Sequence, residues 1–192
     1  MQPVERNEIL KIGEYETVRE PFRARVIAEK KLRRVALGPN ATCVFENHDT
    51  VLLQIQEMIR TERITREPSI LHEMETYNQL IPGKDELSAT LMLEIDERET
   101  REKFLTDASG IEGKIALLVD GERQPATWDP SRILSGRASA VLYLKFPLTA
   151  KAATAIRAKT AKLEISVDHA AYTARTPIDK PTAFSLAEDL DG

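Results

Sequence analysis

The hydrophobic pattern of this chain predicts an α+β fold, with a helical N-terminal half packed on a mixed or antiparallel β-sheet in the C-terminal half. Three observations carry that prediction. Ile70, Met74, Tyr77 and Ile81 recur at helical spacing, the stripe of a helix with one buried side. After Pro82-Gly83-Lys84-Asp85 the period shortens to two, and Leu87, Ala89, Leu91, Leu93 and Ile95 alternate with Ser88, Thr90, Met92 and Glu94. Asp120-Gly121, set between alternating stretches, is a two-residue hairpin turn. The change of period marks a seam between a helical, Arg-rich stretch (1–84) and a strand-rich stretch (85–192), the two sharing one compact fold.

The elements follow in order. Phe22–Arg34 reads as a basic helix, and Asp49 or Thr50 caps a second that runs to about Arg63. Pro68-Ser69 opens a third, to about Gln79, which carries the Ile70 stripe. Beyond the seam, strands are expected around Leu87–Ile95, Ile115–Val119, Ala140–Phe146 and Leu163–Val167. Asp96–Thr106 forms a charged helix ending near Gly110, and Thr149 caps an alanine-rich helix to Ala158. Strands joined by hairpins and single helices, without a run of βα units, do not make a doubly wound sheet.

Composition narrows the function classes. The chain has 192 residues, with 27 Lys+Arg against 31 Asp+Glu and a net charge of −4, the balance of a soluble globular protein. A single Cys43, in an apolar strand context, excludes an intrachain disulfide and any multi-cysteine metal site. Charges crowd the first twenty residues, so no signal peptide is expected there, and no apolar run is long enough to span a membrane. A cytoplasmic protein that engages no membrane is the expectation. Aromatic residues make up 5%, too few for a base-stacking platform, so nucleic acid is an unlikely partner.

Six cations stand against Glu29 alone between Phe22 and Arg34. On a helix, Arg23, Lys30 and Arg34 share a narrow arc with no local acid, a surface that suits phosphate or an acidic partner. Arg25, Glu29 and Arg33 form a ladder beside Phe22, Val26 and Leu32, which suits a semi-buried salt-bridge row. In the following helix Gln56, Arg60 and Arg63 gather at the edge of the apolar arc. Glu62 falls inside that arc, so it should be at least half buried and paired with Arg33 or Arg34. Its functional reading is a general base; its structural reading is an ion pair fixing the helix packing.

Imidazole chemistry would have to use His48, His72 or His169. His72 projects off the apolar stripe, and His48 sits in a capping turn. Asp168-His169 ends one strand and Tyr172 starts the next, which places a carboxylate, an imidazole and a phenol at one hairpin rim, either as a structural turn or as an acid/base group. Phosphate-loop, dinucleotide and nucleophile-elbow motifs are absent, as are the Glu-x-x-His pairs of a diiron bundle, so no metal and no cofactor are predicted.

Several of these segments together resemble a known family. They are Phe22–Ala28, Lys30-Lys31, Arg33-Arg34-Val35, Leu37-Gly38-Pro39, Gln54, Gln56-Glu57-Met58, Arg60, Glu62-Arg63-Ile64, Tyr77-Asn78, and Asp168-His169 with Tyr172. The family is bacterial, is classed as a domain of unknown function, and is typically encoded beside a rubrerythrin-like protein and a heterodisulfide-reductase-like iron–sulfur protein. Its members tend to carry Pro after Asp-His, where this chain has Ala170. The resemblance implies a cytoplasmic accessory to peroxide or electron-transfer chemistry, with a rubrerythrin-like or iron–sulfur protein as partner. It supplies no catalytic residues.

Taken together, these features favour a non-catalytic binding or accessory protein whose Arg-rich helix and following Gln/Glu/Arg helix form a partner-docking face or a pocket for a small anion. An enzyme acting on a small anionic substrate through Arg33, Arg34 and Glu62, or through the Asp168/His169/Tyr172 group, is the alternative, and nucleic-acid binding comes third.

Overall fold

The structure is a computed structural model describing residues 1–190. Among these residues it contains six α-helices and two four-stranded antiparallel sheets, with helices mostly in the first half and strands mainly in the second. The α+β expectation holds, and the sheets are antiparallel rather than mixed.

The first sheet takes β1 (Arg34–Ala36), β2 (Ala41–Glu46), β3 (Glu86–Leu93) and β6 (Val141–Pro147) in that spatial order. The second orders β5 (Glu122–Pro125), β4 (Ile115–Val119), β7 (Leu163–His169) and β8 (Tyr172–Pro177). Asp120-Gly121 makes the β4–β5 turn as expected, with φ of 51° and 84°, values that a two-residue hairpin of this twist requires at both positions. β2 lies before the seam and pairs along its whole length with β3 after it, so one sheet runs across the change of period.

Alternation decides what each strand face does. Val35, Cys43, Phe45, Leu87, Leu91, Leu142, Leu144 and Phe146 point into a core shared with Ile115, Leu117, Ile165 and Val167 of the second sheet. α4 (Arg98–Asp107), α5 (Ala150–Arg157) and α6 (Lys180–Asp189) contribute Leu105, Ile156 and Leu186 to that core. A second, smaller core lies in the helical layer, where Val51, Ile55 and Ile59 of α2 (His48–Thr61) meet Ile70 and Met74 of α3 (Glu67–Asn78). Tyr143, on the opposite side of β6 from the main core, packs against this cluster. The N-cap of α2 is Asn47, not Asp49 or Thr50: its side chain accepts from Thr50 N–H at 3.0 Å.

α1 corrects the predicted extent of the basic helix. It runs from Ile12 to Leu32, starting ten residues before Phe22 and ending short of Arg33 and Arg34. Pro21 lies inside it, and Pro21 and Thr17 are both exposed, so water can take the Thr17 carbonyl that loses its helical donor. The helix buries only Tyr15 and Val26 and is held to α2 chiefly by polar contacts. Arg19 grips Glu57 through Nε at 2.8 Å and a terminal nitrogen at 2.9 Å, Tyr15 donates to the same carboxylate at 2.8 Å, and Arg60 reaches Glu16 at 2.6 Å. The ladder residues look outward to other elements instead of to one another: Arg25 pairs with Asp49, and Glu29 accepts from the Asn47 amide.

Candidate functional site

The outer face of the first sheet and the helical layer enclose a cleft. Register places Arg34, Val44, Thr90 and Tyr143 side by side on one rung across β1, β2, β3 and β6, with Glu46 two residues beyond Val44 on the same face. Lys30, in the last turn of α1, closes one end, and Gln54 of α2 and Tyr77 of α3 form the opposite wall. The enclosed volume is about 250 Å³.

The charges in the cleft are unequal. Glu46 is buried, accepts from Thr90 Oγ1 at 2.7 Å and stands 3.7 Å from Lys30 Nζ, so this carboxylate is already engaged. Arg34 lies on the exposed edge strand, and among the described residues no acid pairs with its guanidinium. Burial, and the neighbouring Tyr77, push the Tyr143 phenol above its ordinary pKa, so it stays a hydrogen-bond donor. The Tyr143 ring also walls two adjoining hollows of about 250 and 290 Å³, where the Arg132 guanidinium lies 5.1 Å from its centroid and Trp128 forms the far side.

Lys30 and Arg34 therefore meet in the cleft, but they do so from a helix end and a strand. Arg23 stays on α1, exposed and, among the described residues, without an acid partner. The expected burial of Glu62 is wrong. Glu62 is the exposed C-cap of α2, because the helix ends there and the side chain leaves the apolar arc before it can be enclosed. Arg63 follows it, exposed, with φ of 53°.

Arg33 is the buried cation, only 1% exposed, and its acid is Asp189 of α6 instead of Glu62. Its Nε donates to the Phe45 carbonyl at 2.9 Å, and its terminal nitrogens reach Ser185 Oγ at 2.8 Å and the Glu46 carbonyl at 3.2 Å. Arg33 thus fixes the end of β2, where Glu46 enters the cleft, and acts there as a positioning residue. Gln56, fully enclosed, clasps the backbone of Leu10, accepting from its N–H at 2.8 Å and donating to its carbonyl at 3.1 Å. With Arg60 held by Glu16, these two side chains of α2 tie down the chain's N-terminal segments.

The hairpin-rim group does not converge. His169 uses Nδ1 to accept from Ala171 N–H at 3.1 Å and lies 3.2 Å through Nε2 from the Ser109 carbonyl, while Asp168 is exposed beside it. The Tyr172 hydroxyl reaches away, donating to the Leu37 carbonyl and accepting from Asn40 N–H at 3.1 Å. It thereby fastens β8 to the β1–β2 loop at Gly38, whose φ is 70° and where a Cβ would come within 2.6 Å of the Tyr172 oxygen, so there is no room for a side chain. Tyr77, Tyr143, Thr90 and Glu46 were not singled out by the sequence as site residues. The alternation in Ala140–Phe146 does place Tyr143 off the main core; what it does not show is that helices cover that face. Among the described residues no group of three or more His, Cys, Asp or Glu is placed to hold a metal ion, and no helix is long and apolar enough to cross a membrane.

The comparisons with known proteins agree with this architecture. A crystal structure of a novel protein of unknown function from Burkholderia pseudomallei superimposes with a TM-score of 0.92 at 35% identity, covering 99% of this chain and 100% of that one. No curated protein matches the sequence. The model of a family of proteins of unknown function, DUF3501, matches residues 3–190, and the chain belongs to that family.

Proposed function

We propose that this protein is a binding protein whose cleft between the first sheet and the helical layer takes a small anionic ligand. The observation that carries the reading is the unequal charge: Arg34 lines the cleft with no acid to meet it among the described residues, whereas Glu46 is already committed to Thr90 and Lys30. The phenols of Tyr77 and Tyr143 add neutral donors on the opposite side. Binding is favoured over catalysis because the residues that would supply acid/base chemistry lie apart: Glu62 faces solvent and His169 is engaged within its own turn.

The redox association implied by the resemblance belongs to the same reading. The protein would serve a cytoplasmic peroxide or electron-transfer system by binding, with a rubrerythrin-like or iron–sulfur protein as partner and the exposed Arg23 edge of α1 as the docking face. Full burial pushes the Cys43 thiol up to about 12 and keeps it protonated, which argues against a redox role for this residue.

The test is native mass spectrometry of the protein taken from its own cell extract, followed by calorimetric titration of the retained anion against wild type and Arg34→Gln. A retained anion whose affinity falls at least about tenfold in Arg34→Gln, at unchanged melting temperature, supports the reading. An unchanged affinity, or an extract-derived protein without added mass, sinks it. Replacing Arg23 and Lys30 together by Gln, with melting temperature and pull-down of the redox proteins as readouts, separates docking from scaffold: binding lost at unchanged stability supports docking, and unchanged binding with a large stability loss refutes it.

A further inference from the structure

A further cavity, of about 810 Å³, lies at one end of the second sheet, between the β4–β5 turn, the start of β7, the end of β8 and the helices α5 and α6. None of the residues discussed as candidate site residues lines it. Its volume is that of small-molecule sites in general. Its floor is aliphatic, built from Ile156, Leu163, Ile178 and Ala183, and Phe184 stands over it, 42% exposed.

The rim carries the second observation. Lys159, Lys162, Lys180 and Arg175 surround the opening, and Asp120 and Glu164 are the acids that line it among the described residues. Both acids are engaged: Glu164 binds the Arg175 guanidinium, and Asp120 accepts the Lys162 backbone N–H at 2.9 Å. Lys159 rests over the Phe184 ring, 5.4 Å from its centroid, and is 3.9 Å from Glu188. That leaves the ammonium groups of Lys162 and Lys180 without an acid among the described residues.

An aliphatic floor with unmatched ammonium groups at its edge complements one chemical class, a molecule with an extended hydrocarbon body and a single anionic head. We infer that this cavity binds an acyl-chain carboxylate, its chain on Ile156, Leu163, Ile178 and Ala183 and its head between Lys162 and Lys180. The aliphatic lining gives the chain its apolar contact without selecting a flat ring, and the lysines supply charge without the planar fork that a bidentate arginine site would impose.

The experiment uses dodecanoate below its micelle threshold, with dodecanol and dodecyltrimethylammonium as controls of equal chain length. Binding is followed by calorimetry and by the methyl resonances of Ile156, Leu163 and Ile178. Dodecanoate should saturate and shift these methyls ahead of both controls. The double variant Lys162→Glu/Lys180→Glu, whose changes are exposed and leave the fold intact, should weaken dodecanoate at least about tenfold and leave dodecanol unchanged. Ala183→Trp, checked for folding by circular dichroism, should abolish binding of both by filling the floor. Equal binding of the carboxylate and the ammonium, shifts confined to methyls elsewhere, or an unaffected charge-reversed variant would each overturn the assignment. So would unmoved methyls with dodecanoate together with shifts on adding an acidic peptide or on raising protein concentration, which would make the groove a protein-docking surface.

Discussion

Replacing Arg33 by Met keeps the length and apolar stem of the side chain and removes only its charge and donors. Asp189, 4% exposed, then loses its cation and must either stay ionised and unpaired or take up a proton, and the carbonyls of Phe45 and Glu46 lose their donor. Breaking a buried pair in this way costs about 3–5 kcal/mol, a large share of the roughly 5–15 kcal/mol by which a protein of this kind is stable. Burial outweighs Arg33 and raises the Asp189 carboxyl from 3.8 to about 6. Because its native pKa lies above the unfolded one, the native state holds the proton more tightly. The favourable contribution of the protonated form is complete below 3.8 and disappears as pH rises through 6, a change of about 3 kcal/mol at 1.36 kcal/mol per pH unit. Without Arg33 the native pKa rises further, so the variant's deficit should be greatest at neutral pH and should shrink as the acid is protonated. Urea unfolding at neutral and acidic pH measures this as a lowered midpoint at constant m-value. A deficit below about 1 kcal/mol at neutral pH, or one that does not change with pH, would refute the buried-pair reasoning.

Gly38→Ala should destabilise the protein by more than about 1 kcal/mol through its positive φ alone, and Tyr172→Phe should recover only the part that comes from the close hydroxyl, as a thermal double-mutant cycle would read. By itself, Tyr172→Phe strands the Leu37 carbonyl and Asn40 N–H and should cost about 1–3 kcal/mol in chemical unfolding. Cys43 should resist iodoacetamide in the native protein and react fully once unfolded, as intact-mass measurement would show; rapid native alkylation would contradict its burial. Elemental analysis after gentle purification should find no stoichiometric iron or zinc, since one Cys and three separated His supply no ligand set without several carboxylates.

Much of the fold was legible because periodicity reports which face is buried. The alternation in Leu87–Leu93 and Ile115–Val119 and the hairpin at Asp120-Gly121 map onto β3, β4 and the β4–β5 turn. α6 was not anticipated: its apolar residues Leu186, Ala187 and Leu190 form no long stripe, and its place is set by the core it closes and by Asp189 meeting Arg33. The failure at Glu62 has a similar cause. A helical wheel assumes that the helix continues, but α2 ends at Thr61, and one residue past a helix end the arc no longer predicts burial.

Arg33 and Arg34 show why the candidate site could be only half read. As neighbours in one basic run they carry the same charge, and on a single helix they would sit 100° apart on adjoining faces. The chain instead leaves the helix at Leu32 and enters β1 at Arg34, where successive side chains take opposite sides of the sheet. Arg33 turns inward, and its desolvation is offset only because Asp189, Ser185 and two backbone carbonyls converge on it from segments remote in sequence. Arg34 turns outward onto the rung with Thr90 and Tyr143 and keeps its charge available. The same local composition thus yields one cation that builds the wall of the cleft and one that faces its contents. The choice between them is made by where the helix stops, which depends on tertiary packing that no count of charges contains.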